Sequence, residues 1–203
     1  MDLKKFIFTV ILLVSFSILL SSCKIIDLTK ENVILKSELT NKENNLIKGT
    51  GSDKYFVFEL NLEEGEYQWI ELWVDLYEYG EYKGTHNNLG TLIDNDKNKH
   101  IMFSIQEFND TERWVVSYFD NNTVSSGTSI TNKKYSSSTW SDTNKVEIIA
   151  GEKHPLAVIL GTNSNNISSV PIGFFVNESD YINDLLTNDY VYILKCKLYN
   201  ERP

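Results

Sequence analysis

Apolar and polar residues alternate with period two along much of this chain. From Tyr55 to Leu62 the even positions Phe56, Phe58, Leu60 and Leu62 are apolar, while Glu59 and Asn61 fall among the odd ones. That is the pattern of a strand with one buried face. After a turn at Glu63, Glu64, Gly65 and Glu66, the run Tyr67 to Tyr79 puts Ile70, Leu72, Val74 and Leu76 on one face. The two runs read as an antiparallel hairpin. Further strands are expected at Ile101 to Phe108, Trp114 to Phe119, Val146 to Ile149, Leu156 to Leu160, Ile172 to Val176 and Tyr190 to Tyr199. About eight strands separated by Asn, Asp, Gly and Ser clusters predict an all-β fold, an antiparallel β-sandwich or partly open barrel.

One short helix is expected near residues 178–187. Asn177, with Asp180 three residues on, caps a turn whose Tyr181, Ile182, Leu185 and Leu186 share one apolar face. Ser136 to Ser141 and Thr162 to Ser169 read as exposed loops. From Lys24 to Ser52 the composition turns polar, with Asn41, Lys42, Glu43, Asn44 and Asn45 at its centre. This predicts a spacer over residues 23–50, containing a first short strand at Val33, Ile34 and Leu35, and a sandwich domain over 51–203.

The N-terminus carries an address. Lys4 and Lys5 precede an apolar run from Phe6 to Leu20, broken only by Thr9, Ser15 and Ser17. The run falls short of the roughly 20 residues that span a bilayer and ends in small residues, so it reads as a signal peptide. Leu20, Ser21, Ser22 and Cys23 resemble the lipobox of bacterial lipoproteins. The resemblance covers only these first residues. It implies cleavage between Ser22 and Cys23, a diacylglyceryl group on the Cys23 thiol, and a place on the extracytoplasmic face of the cell membrane. Two acyl chains hold stably where one anchors only marginally. The alternative is an ordinary secretory signal with an incidental Cys23. The remainder resembles, in general manner only, small surface lipoproteins of Gram-positive bacteria whose activities are unassigned.

Composition narrows the function classes. The 203 residues are 41% apolar and 23% charged, which suits one globular domain and excludes a disordered or fibrous chain. Residues 1–22 hold Lys4 and Lys5 against Asp2, so the mature chain has 17 basic and 27 acidic side chains and a net charge of minus ten. A chain this acidic without a basic stripe is not expected to bind nucleic acid. Beside an anionic surface it is repelled over a screening length of about 8 Å.

Little reads as chemistry. Cys196 alternates with Tyr192, Leu194 and Leu198 on one face and is expected to be a small buried hydrophobe. His86, His100 and His154 are far apart, at expected surface or edge positions, and lack metal-ligand spacing. Asp94, Asp96 and Asn98 begin like a calcium loop, but Ile105 stands where the bidentate Glu belongs, so a hairpin turn is expected. No nucleophile elbow or phosphate loop is present, and neither cofactor nor metal is expected.

The remaining candidate is Trp69, Glu71, Trp73, Asp75, Tyr77 and Tyr79, which alternate with the apolar face of their strand. Aromatic rings interleaved with carboxylates suit a ligand face on which sugar rings stack and hydroxyls bond. The competing expectation is a second small core, covered by the spacer, by a loop such as Thr128 to Trp140, or by the helix; Tyr82, Trp114 and Trp140 fit either. As an acid and base pair, Glu71 and Asp75 stand about 13 Å apart on a strand, beyond the roughly 5–9.5 Å of glycosidases. A non-catalytic binding or accessory module for an envelope glycan or protein is therefore expected. The alternatives are a polymer hydrolase with dispersed carboxylates and a structural or immunity-type surface protein. The anchor is the first thing to test: a clickable fatty acid fed to cells should label the wild type and not Cys23→Ala. A wild type left unlabelled and soluble in the medium would refute lipidation.

Overall fold

The computed structural model describes residues 32–94, 98–164 and 166–203. The signal peptide, Cys23, the first part of the spacer and Asp96 lie outside the described residues. The elements in order are β1 (Val33–Lys36), α1 (Asn41–Gly49), β2 (Lys54–Asn61), β3 (Trp69–Glu78), β4 (Glu81–Leu92), β5 (Lys99–Phe108) and β6 (Thr111–Phe119). There follow β7 (Val124–Asn132), β8 (Ser137–Asp142), β9 (Lys145–Glu147), β10 (Lys153–Thr162), α2 (Glu178–Leu185) and β11 (Tyr190–Tyr199). They form an antiparallel sandwich of two sheets, ordered β7-β6-β5-β2-β1-β9 and β4-β3-β11-β10-β8.

The period-two pattern is what builds the core. Phe56, Phe58 and Leu60 of β2, with Ile101, Phe103 and Ile105 of β5, face Ile70, Leu72 and Val74 of β3 and Leu194, Cys196 and Leu198 of β11. Each large side chain so buried contributes about 1.5–3 kcal/mol. The hairpin expected between β2 and β3 does not exist, because the two strands lie in different sheets. Their connection crosses the sandwich, and their apolar faces meet in the core rather than side by side. The partner of β3 is β4, joined through Tyr79 and Gly80 at φ 51° and 80°. Two central residues at positive φ are what a type I′ hairpin turn demands, and its twist matches that of the strands.

The domain begins earlier than residue 51. β1 is seated between β2 and β9, with Val33 opposite Asn61 and Ile34 wholly buried. The centre of the expected spacer is α1, which buries no residue and forms on local signals. Its capping box is complete: Glu43 N–H donates to Thr40 Oγ1 at 3.3 Å and Thr40 N–H to Glu43 Oε2 at 2.7 Å. The Tyr55 hydroxyl donates to Asn44 Oδ1 at 2.9 Å and ties the helix to β2.

Three polar strands were hidden from periodicity. β4, β7 and β8 lie at sheet edges, where a strand can be half solvated and needs no apolar run. The Ser136 to Ser141 stretch is therefore mostly β8 rather than a loop. The edges of β4 and β7 lean together without a ladder, through Thr91 Oγ1 on Ser125 Oγ at 2.9 Å and Ser129 Oγ on His86 Nε2 at 3.1 Å. The expected strand Ile172 to Val176 is instead a series of turns that exposes Ile172 fully and buries Phe174. The helix expected near 178–187 is α2, but Asn177 does not cap it: its side chain makes no bond to the helix backbone and instead donates through Nδ2 to Asp180 Oδ2 at 2.7 Å. No helix among the described residues is long and apolar enough to cross a membrane.

β1 and α1 should differ sharply on truncation. Ile34→Ala is expected to cost about 2–5 kcal/mol by urea denaturation, as a deleted core side chain does. Leu46→Ala on the exposed face of α1 should stay within about 0.5 kcal/mol.

Candidate functional site

The five-stranded sheet has two faces to cover. Its inner face is the core; its outer face carries Trp69, Glu71, Trp73, Asp75 and Tyr77 of β3 beside Val191, Ile193, Lys195, Lys197 and Tyr199 of β11. Half of this outer face is a second apolar core. Phe174 and Leu185, from the segment that includes α2, pack on Val158, Leu160, Val191 and Ile193, with Tyr77 at the margin. The other half is an open cleft of about 440 Å³, with Glu71, Trp73 and Asp75 along β3, Lys195, Lys197 and Tyr199 along β11, and Lys153 on β10. Tyr82, Thr85 and Asn88 of β4 complete its wall. The covered second core expected for this face is thus present on one half of it, and the other half is open.

Asp75 is the hub. It is 7% exposed; its Oδ1 accepts from Trp73 Nε1 at 3.0 Å and from the Tyr82 hydroxyl at 3.4 Å. Its Oδ2 lies 3.0 Å from Lys195 Nζ, which donates in turn to Glu178 Oε1 at 2.6 Å. Burial works to lower the pKa of the Lys195 ammonium, but the hydrogen bond and charge of Glu178, joined by Asp75, outweigh it and the net shift is upward. Glu178 opens α2, so this one lysine clamps the covering helix to the sheet. At the other end of the cleft the Tyr199 hydroxyl donates to Glu71 Oε2 at 2.7 Å. Burial and Glu71 together push the Tyr199 phenol up to about 12.

The six candidate residues do not form one continuous platform. Trp73 is 8% exposed and has Lys153 Nζ 6.0 Å from its ring centroid. Arg202 stands 5.0 Å over the Trp69 ring, and Tyr77 sits under the α2 segment. Tyr79 belongs to the hairpin turn, exposed and tilted against Tyr190 with centroids 5.4 Å apart. Tyr82 lines the cleft, Trp114 is buried in the core, and Trp140 lines a separate cleft beside Lys54 and Tyr55. Glu71 and Asp75 are each engaged as acceptors.

The other sequence candidates are placed as follows. Cys196 is fully buried, and burial pushes its thiol pKa up. His154 is buried rather than at the surface, its Nε2 3.3 Å from Ile149 O. His86 lies within β4 rather than in a loop, half-buried edge-on to Trp114, and burial lowers its pKa. His100 stacks on Phe119 at 5.2 Å. Among the described residues no cluster of His, Cys, Asp or Glu is able to hold a metal ion. Sequence reasoning missed Lys153, Lys195, Lys197 and Glu178. The first signal was available: Lys195, Lys197 and Tyr199 alternate with the apolar face of β11. It also missed Glu112, a fully buried carboxyl that accepts from Tyr135 and Trp114 and whose pKa burial raises. Glu112 lies between the sheets and lines none of these clefts.

Residues 33–198 match the model of the YgaN domain, from the first residue of β1 to one short of the end of β11. No curated protein and no solved structure matches the chain.

The clamp has a measurable weight. Lys195→Met leaves two carboxylates facing each other without their cation and should cost about 3 kcal/mol in urea denaturation. Adding Asp75→Leu should recover part of that loss, which a simple packing defect would not. Because the folded pKa of Lys195 is raised, the wild-type advantage should be full below about pH 10.4 and fade as pH rises through the folded value.

Proposed function

The chain belongs to the YgaN domain family, and we propose that it is a non-catalytic binding or accessory module of the cell envelope, anchored by lipid on Cys23 at the extracytoplasmic face. The anchor rests on the run Leu20, Ser21, Ser22 and Cys23 behind a charged and then apolar leader. The binding role rests above all on the outer-face cleft. Its floor is locked before any ligand arrives, since Asp75, Lys195 and Glu178 hold one another and Tyr199 holds Glu71. Preorganised polar groups lose little freedom on binding.

A hydrolytic use of the same cleft is less well supported. It asks for an acid and a base roughly 5–9.5 Å apart, each free to exchange a proton. Asp75 is committed to Lys195, Trp73 and Tyr82, and Glu71 to Tyr199. The charge of minus ten on the mature chain fits a domain that stands off an anionic surface and presents its cleft outward.

The experiment is capture of envelope components by the purified mature chain. Thr85→Trp and Asn88→Trp place bulk in the cleft from exposed positions and should reduce capture at least about tenfold, a loss of roughly 1.4 kcal/mol. Phe108→Ala, on the other sheet, should leave it unchanged. Capture that survives both cleft-filling changes would remove this face from consideration.

A further inference from the structure

The cleft and the surface beside it hold three cations, each resting on an aromatic ring. Lys153 lies over Trp73 at 6.0 Å, Lys197 over Tyr199 at 4.6 Å and Arg202 over Trp69 at 5.0 Å. Sheet register makes the rings neighbours: Trp69 is opposite Tyr199, and Trp73 lies two rows further along β3. It also sets Lys153 directly opposite Lys197. None of the three enters an ion pair among the described residues, although the mature chain holds 27 acidic side chains to 17 basic. Like charges directly opposite on adjacent strands destabilise a sheet.

The cations also change what the rings can do. With an ammonium or guanidinium over each face, Trp73, Tyr199 and Trp69 are not open platforms for sugar stacking. They are supports that hold positive charge in place while leaving its outward side free to donate hydrogen bonds. The carboxylates and hydroxyls beside them offer partners for ligand hydroxyls: Glu71 has an oxygen beyond the one Tyr199 uses, and Thr85 lies on the opposite wall.

Resting on the binding role above, we propose that this strip recognises an anionic, hydroxyl-bearing chain, with a phosphate or carboxylate held between Lys153 and Lys197 and a further one reached by Arg202. Neighbouring groups on the sheet stand about 7 Å apart two residues along a strand. That is the scale on which charges repeat in a polyol phosphate or an acidic glycan. The net negative charge of the rest of the domain keeps other anion contacts weak, so binding concentrates on this strip.

Calorimetric titration of the mature chain tests it, with poly(glycerol phosphate) and oligogalacturonate as the two anionic probes and a neutral maltooligosaccharide as control. At least one anionic probe should bind and the neutral one should not; which of the two binds identifies phosphate or carboxylate as the source. Lys153→Gln with Lys197→Gln should weaken binding about tenfold or more, as the loss of two charge-assisted contacts requires. The paired Lys→Arg changes should restore it, and added salt should weaken the wild type. A melting temperature in the Gln variant no lower than the wild type's keeps a loss of binding distinct from unfolding. Failure of both anionic probes, equal binding of the neutral one, or indifference to the Gln changes overturns the proposal. If envelope capture still depends on Thr85 and Asn88 in that event, the binding role stands and only the anionic ligand is wrong.

Discussion

The Lys195 ammonium, nearly out of water between Asp75 and Glu178, is the contact on which both the covering and the opening of the outer face depend. An ion of this kind costs several kcal/mol to desolvate, and it is retained only where charge and hydrogen bonds meet it from more than one side. Here they come from two different layers. Asp75 belongs to the sheet and Glu178 to the first turn of α2, so the ion joins the helix to the strand it covers. On one side of this joint lie the apolar contacts of Phe174 and Leu185; on the other lies the open cleft.

That arrangement explains why the cleft is polar and firm at once. A sheet whose outer face carried only apolar residues would be buried throughout, and one with only solvated residues would need no cover. β11 changes character midway, from Val191 and Ile193 to Lys195, Lys197 and Tyr199, and the boundary of the covering segment falls at the change. Side chains that would otherwise be mobile are held by neighbours: Trp73 by Asp75, Glu71 by Tyr199, Lys197 by the face of Tyr199. Lys153, Lys197 and Arg202, which enter no ion pair among the described residues, then rest on aromatic rings.

Much of the sandwich could be read from alternation. Phe56, Phe58 and Leu60, or Ile70, Leu72 and Val74, must lie on one face of a strand, and burial of that face follows from the hydrophobic effect alone. The capping box of Thr40 and Glu43 is equally local, although the stretch around it is so polar that it resembles a spacer. The edge strands β4, β7 and β8 carried no such mark. Their state is decided by ladder bonds to a neighbour, which polar residues satisfy as well as apolar ones.

The chain's own letters therefore determined the strand faces, the short helix at 178–185 and the row from Trp69 to Tyr77, because each rests on a period of two or four residues. The tertiary structure decided that β2 and β3 face each other across the core instead of pairing, that Val33–Lys36 belongs to the domain, and that only half of the Trp69 row is open. Those outcomes join residues far apart in sequence, Asp75 with Lys195 and Lys153 with Lys197 among them. A periodic pattern states which side of a strand seeks cover, and carries no record of what arrives to provide it.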